Sequence, residues 1–140
     1  IDNKNAILLI KSSKKSILWT NEIKKIIQKF DNIIFLEEYL NDISSFYKSI
    51  DIFCMPSVEE GFGMALIEAF YYNCSIISSD SIGSSELIIN EKDVSIFKNR
   101  NFKDLANFLQ MKVKLGKKKG TIRKNFNLKI NNTSYIDLFK

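Results

Sequence analysis

The chain has 140 residues, of which 45% are hydrophobic and 26% charged, with a formal net charge of +5. That composition is ordinary for a globular protein and long enough for one domain with a real core. Histidine is absent and only two cysteines are present, which excludes His-based acid–base chemistry and His metal sites and argues against a zinc site.

In chain order, short apolar runs alternate with helical patterns. The chain begins with Ile1 rather than Met, so it is expected to be a piece of a longer one. The opening "IDNKNAILLIKSSKK" carries charges on both sides of a short apolar run, which is not the layout of a signal peptide. "AILLI" (6–10) reads as a strand. "TNEIKKIIQKF" (20–30) places Ile23, Ile26, Ile27 and Phe30 at helical spacing, with Thr20 or Asn21 as the N-cap. "IIFL" (33–36) is a second strand, and "NDISSFYKSI" (41–50) a helix with Ile43, Phe46, Tyr47 and Ile50 on one stripe. "DIFCM" (51–55) and "SIIS" (75–78) are further strands, separated by the helix-forming "FGMALIEAFYY" (62–72). "SSELII" (84–89) is at best a short helix, "VSIF" (94–97) a last strand and "FKDLANFLQMKVKL" (102–115) an amphipathic helix; "SYIDLF" (134–139) predicts a final helical turn or two. Apolar, non-alternating strands between helices are the pattern of a parallel sheet covered on both faces. The expected class is therefore α/β, a Rossmann-like open parallel sheet flanked by helices. No Pro/Gly/Ser linker interrupts it, so residues 1–140 read as a single domain.

No apolar run approaches the roughly 18–20 residues that span a bilayer. Cys54 and Cys74 lie in or beside apolar runs and read as reduced core thiols of a cytosolic protein. Phe46, Phe70, Phe102 and Phe108 fall within helical patterns and read as core. The biased segment is "KVKLGKKKGTIRKN" (112–125), with Lys112, Lys114, Lys117, Lys118, Lys119, Arg123 and Lys124. It is a candidate contact for anionic lipid or a lipid-linked phosphate acceptor, although a solvated helix end and loop is the favoured reading. Nucleic acid is not an expected partner, because base readout leans on arginine and only Arg100 and Arg123 are present.

The stretch with chemical content is "PSVEEGFGMALIEAF" (56–70), at the carboxyl end of the strand 51–55. Ligands of open α/β sheets bind there. Gly61 and Gly63 let backbone approach a ligand, and the helix that follows offers free N–H groups to a phosphate. Glu60 stands at the loop, and Glu68 is the only charge between Phe62 and Tyr72. Two carboxylates so placed suit two polyhydroxyl groups on either side of a phosphate. Equally, the glycines make a tight turn and Glu68 faces solvent or pairs with a lysine, since a lone motif is weak.

This stretch closely resembles the E-x7-E signature of retaining glycosyltransferases of family four, which have the GT-B fold. "NIIFLEEYLNDISSFYKSIDIF" resembles the strand–helix–strand before it, and "CSIISSDSIGSSELI" the strand and loop after it, with Asp80, Gly83 and Glu86 at the expected spacing. The resemblance covers residues 5–115. It implies that Glu60 is the catalytic-site carboxylate, touching hydroxyls of the transferred sugar. It implies that Gly61, Phe62, Gly63 and Met64 meet sugar and diphosphate, that Glu68 binds the ribose and that Glu38 and Tyr39 lie near the base. The donor is then a nucleoside diphosphate sugar, with neither cofactor nor metal required, in a cytoplasmic protein working at the inner face of the membrane. A non-catalytic nucleotide-binding or protein-interaction module is the alternative. Asn73 stands where the family usually has Gly, and is the next-best residue for a left-handed cap. Ile82 replaces a second Gly, and Ser75 and Ser85 stand where Pro is common. The family's first strand, its Arg/Lys phosphate loop and the acceptor-binding half have no counterpart in these residues, so the chain is expected to be one incomplete half of a GT-B enzyme.

Overall fold

The computed structural model describes residues 6–11, 17–36, 40–81, 92–116, 129–130 and 133–134. The chain divides into two compact units, Ile1–Asp42 and Ile43–Lys140, at a point with no linker composition.

In the first unit, β1 (Leu8–Lys11) and β2 (Ile33–Leu36) pair in parallel, Leu8 opposite Ile33 and Lys11 opposite Leu36. The helix α1 (Ile17–Ile27) lies between them in sequence. It starts ahead of Thr20 and Asn21, so both are helical residues and neither is the expected N-cap. The helix thus begins three residues before the polar pair that suggested its start. The Asn32 side chain donates to the Ala6 carbonyl at 2.9 Å, and Leu8 N–H donates to the Asn32 carbonyl at 2.9 Å, which closes the entry to the ladder.

The second unit contains α2 (Ile43–Ser49), β3 (Ile52–Met55), α3 (Met64–Tyr71), β4 (Ser75–Ser79), β5 (Val94–Phe97) and α4 (Phe102–Leu115). Its sheet has the order β3-β4-β5, all parallel, with Ile52 opposite Ser75 and Ile76 opposite Val94. The central strand β4 is buried from Ile76 to Ser79, as a strand covered on both faces must be, with the polar Ser78 and Ser79 included. The α/β class with open parallel sheets and flanking helices is thus observed. A short antiparallel pair, β6 (Lys129–Ile130) and β7 (Thr133–Ser134), follows. Ser134, expected to begin a helical turn, is in β7; the remainder of that turn and the expected helix at 84–89 lie outside the described residues.

The core joins α2, α3 and the sheet. Tyr47, Met55, Leu66, Ala69, Phe70, Tyr72, Cys74 and Ile76 are buried together, with Phe46 and Phe53 packed against them. The Tyr47 ring stacks on Tyr72 with centroids 5.7 Å apart and meets Phe46 and Phe53 edge-on, arrangements favoured by the ring quadrupole. Leu66, Ile67, Ala69 and Phe70 are buried on α3, which explains a helix with apolar residues nearly all round.

Both ends of α3 need left-handed backbone. Gly63, its N-cap, has φ 71°. Asn73 has φ 62°, and its N–H donates to the Phe70 carbonyl while Cys74 N–H donates to the Ala69 carbonyl, both at 3.0 Å. That is a Schellman closure with Asn in the usual glycine place, as the sequence predicts.

Two expectations for α4 are corrected. Phe102 is not core but 73% exposed, because it is the first residue of the helix, where the turn that would cover it is absent. Lys112 is not part of a solvated basic face. It is 5% exposed and donates to the Asp93 carbonyl at 2.8 Å and to the Ser75 hydroxyl at 3.3 Å. Neither cysteine is in a disulfide; Cys74 is buried and Cys54 partly so. Among the described residues no helix is long and apolar enough to cross a membrane.

Candidate functional site

Parallel pairing puts the carboxyl ends of β3, β4 and β5 on one edge of the sheet. The segments leaving those ends enclose an open concavity of about 590 Å³, lined by Val58, Glu59, Glu60, Gly61, Asp80, Ser81 and Asn99. This is the edge at which open α/β sheets bind ligands.

Hydrogen bonds between the three segments fix its walls. Asn99 donates from its side-chain nitrogen to the Val58 carbonyl and from its backbone N–H to Asp80 Oδ1, each at 2.6 Å. Asp80 N–H donates to the Phe97 carbonyl at 2.9 Å. The buried Ser79 hydroxyl donates to the Ser57 carbonyl at 2.6 Å, and the Ser57 hydroxyl lies 3.3 Å from Glu60 Oε2. The Glu60 carboxylate is therefore tethered to a loop that is itself tied to β4. Glu59, Glu60 and Asp80 make the lining acidic. A carboxylate is an acceptor only, so this concavity suits neutral hydroxyl groups rather than an anion.

The place for an anion is the start of α3. Gly63 turns the chain through left-handed backbone into Met64, and the Leu66 and Ile67 N–H groups close on the Gly63 carbonyl. The N–H groups of Met64 and Ala65 precede that first closure and have no acceptor within the helix. At Gly61 a Cβ would meet nothing within 4 Å, so the packing of this loop does not itself require glycine there.

The residues expected at the site separate as follows. Glu60 and Gly61 line the concavity; Phe62, Gly63, Met64 and Glu68 are outside its lining. Glu38 and Tyr39 lie outside the described residues. Glu68 does not stand without a partner, as its isolation on an apolar helix suggests. The Tyr47 hydroxyl donates to Glu68 Oε2 at 2.9 Å and lies 3.2 Å from the Ala65 carbonyl. Burial first, and then the hydrogen bond and charge of Glu68, hold the Tyr47 phenol well above its ordinary range. Tyr47 and Asn99 are the residues that sequence reasoning misses. Tyr47 carries a core signal, a place on the apolar stripe of α2, and nothing local announces a partner 21 residues on. No sequence feature marks Asn99. Among the described residues, no group of three or more Cys, Asp and Glu side chains could hold a metal ion.

A model of the family described as "Glycosyl transferases group 1" matches residues 3–126. The chain is 33% identical over 85 residues to the N,N'-diacetylbacillosaminyl-diphospho-undecaprenol alpha-1,3-N-acetylgalactosaminyltransferase of Campylobacter jejuni, covering 61% of this chain and 23% of that protein. It is 33% identical over 66 residues to the lipopolysaccharide core biosynthesis mannosyltransferase LpcC of Rhizobium leguminosarum, covering 47% and 18%. It is 29% identical over 73 residues to the capsular polysaccharide biosynthesis glycosyltransferase CapM of Staphylococcus aureus, covering 52% and 19%. The matched segment thus spans about a fifth of the length of these relatives. No solved structure matches the chain.

Proposed function

Because this chain belongs to the group 1 family of glycosyltransferases, we propose that it carries the donor site of a retaining enzyme. The reaction moves a sugar from a nucleoside diphosphate sugar to a hydroxyl acceptor and keeps the anomeric configuration. One observation carries this reading: the half-buried Glu60 lines an acidic concavity at the carboxyl ends of three parallel strands, next to the left-handed Gly63 that opens α3.

In this reading Glu60 accepts hydrogen bonds from hydroxyls of the transferred sugar. The backbone of residues 61–64 faces the diphosphate. The N–H groups at the start of α3 that lack an acceptor within the helix take up the charge that builds on the leaving diphosphate as the glycosidic bond breaks. Their direction is set before the reaction, so no reorganisation is needed at the transition state. Glu68 receives the ribose hydroxyls. The acceptor site, and the cations that complete the diphosphate site, come from parts of the protein outside this segment. The relatives are named for a lipid-linked diphosphate acceptor, a lipopolysaccharide core and a capsular polysaccharide. By extension the acceptor here is a growing surface glycan, met at the cytoplasmic face of the membrane.

The test is calorimetric titration of the full-length protein with UDP, GDP and ADP, followed by incubation with the matching nucleotide sugars and lipid-linked oligosaccharides. Selective binding of one diphosphate, and a product of the donor's own anomeric configuration by NMR, are expected. Absence of nucleotide binding would leave a non-catalytic module, and an inverted product would remove the retaining assignment.

A further inference from the structure

We propose that Tyr47 is a positioning residue of the donor site, its hydroxyl holding Glu68 Oε2 so that the other carboxylate oxygen is presented to the ribose hydroxyls. This rests on the reading of Glu68 given above. The Tyr47 ring cannot swing away: it is 5% exposed, stacked on Tyr72 and flanked edge-on by Phe46 and Phe53. Its hydroxyl carries one proton and has two acceptors in reach, the Glu68 carboxylate at 2.9 Å and the Ala65 carbonyl at 3.2 Å. The charged acceptor is nearer and forms the stronger bond, so the proton goes to Glu68. The phenol is held above its ordinary range and remains a donor at working pH.

Glu68 has no comparable guide on its own helix. Its neighbours in sequence are apolar, and among the described residues no lysine or arginine pairs with it. A glutamate side chain has three rotatable bonds and loses much freedom when a ligand fixes it. The bond from Tyr47 fixes it before the ligand arrives and occupies one of two acceptor oxygens, leaving the second for a hydroxyl donor. Preorganisation of this kind acts equally on the ground state and the transition state. It therefore appears in KM for the donor and in diphosphate affinity, with little change in kcat.

The test uses Tyr47→Phe, which keeps the stacked ring and removes only the hydroxyl, in the full-length protein. Affinities for UDP, GDP and ADP are measured beside those for their 2′,3′-dideoxy counterparts. For the diphosphate that binds, Tyr47→Phe should weaken the ribose form by about 5- to 10-fold, the scale of ordering one rotamer-rich side chain on binding, and leave the dideoxy form unchanged. A purely structural role for Tyr47 would weaken both forms alike, and that result would overturn the proposal. Glu68→Ala separates the two levels of inference. If it abolishes the preference for ribose while Tyr47→Phe preserves it, the positioning role fails and the ribose site stands. If Glu68→Ala also preserves the preference, or if the unmodified protein binds none of the three diphosphates, the ribose reading fails and the positioning role falls with it.

Discussion

Lys112, in the last turn of α4, donates its ammonium to the carbonyl oxygen of Asp93 at 2.8 Å, and the same oxygen accepts the N–H of Ile76. One carbonyl at the entrance to β5 thus ties that strand both to β4 and to the end of α4. Lys112→Met keeps the aliphatic stem and removes the charged donor. It should lower stability by about 1–2 kcal/mol, read as a shift of the urea midpoint at constant slope. The exposed Lys103 on the same helix is the control: Lys103→Met should change stability by less than about 0.5 kcal/mol.

The two glutamates should separate kinetically. Glu60→Ala should reduce turnover more than diphosphate affinity, because its position in the concavity suits the sugar. Glu68→Ala should weaken diphosphate binding by about 1–3 kcal/mol. Its thermal stability should change little, because the Tyr47 hydroxyl can turn to the Ala65 carbonyl 3.2 Å away. Initial transfer rates set beside calorimetric affinities check both outcomes, and equal losses in rate and affinity for Glu60→Ala would mean that the roles are misassigned.

At Asn73 the backbone has φ 62°. A β-carbon without a short polar side chain pays the full left-handed cost there, so Asn73→Ala should lower stability by about 1 kcal/mol. Asn73→Gly removes the β-carbon and should cost less. Thermal melts of the two variants, compared with each other, test the sign.

Burial pushes the Cys54 thiol up to about 11. In the unfolded chain the thiol ionises in its ordinary range, about 8.5, while the folded thiol still holds its proton. Between those two values the unfolded state has lost a proton that the folded state keeps, so rising pH favours unfolding. The stability that Cys54 contributes is complete below the ordinary thiol range and lost as pH rises toward 11. Denaturation of the unmodified protein and of Cys54→Ala from pH 8 to 11 should show the difference between them shifting against the cysteine as pH rises. At pH 7.5 the native Cys54 should also react slowly with iodoacetamide, because so little thiolate is present.

The second unit's elements from α2 to α4 were legible in the sequence because each has a short-range cause, whereas the pair β6 and β7 was not. The strands 52–55, 75–79 and 94–97 carry apolar residues without strict polar alternation, as a sheet covered on both faces demands, although the burial of Ser78 and Ser79 in the second is not written in their residue type. The bounds of α4 follow from its period, and the structure adds Asn101 as the cap, its side chain accepting the Asp104 N–H. The left-handed turn at Asn73 follows from the family resemblance, which places Gly there, and from Asn being the next-best residue for such a cap. The tertiary structure decided everything that depends on which segments become neighbours. Asn99 meets Val58 across 41 residues, and Tyr47 meets Glu68 across 21. The burial of Lys112 depends on where β4 and β5 begin. Helical and strand periods are set by a backbone repeat of two to four residues and are written in any short window. Contacts across a parallel sheet depend on strand order and register, which that repeat does not encode. The location of Glu60 was therefore readable from its loop, and the partner that holds Glu68 was not.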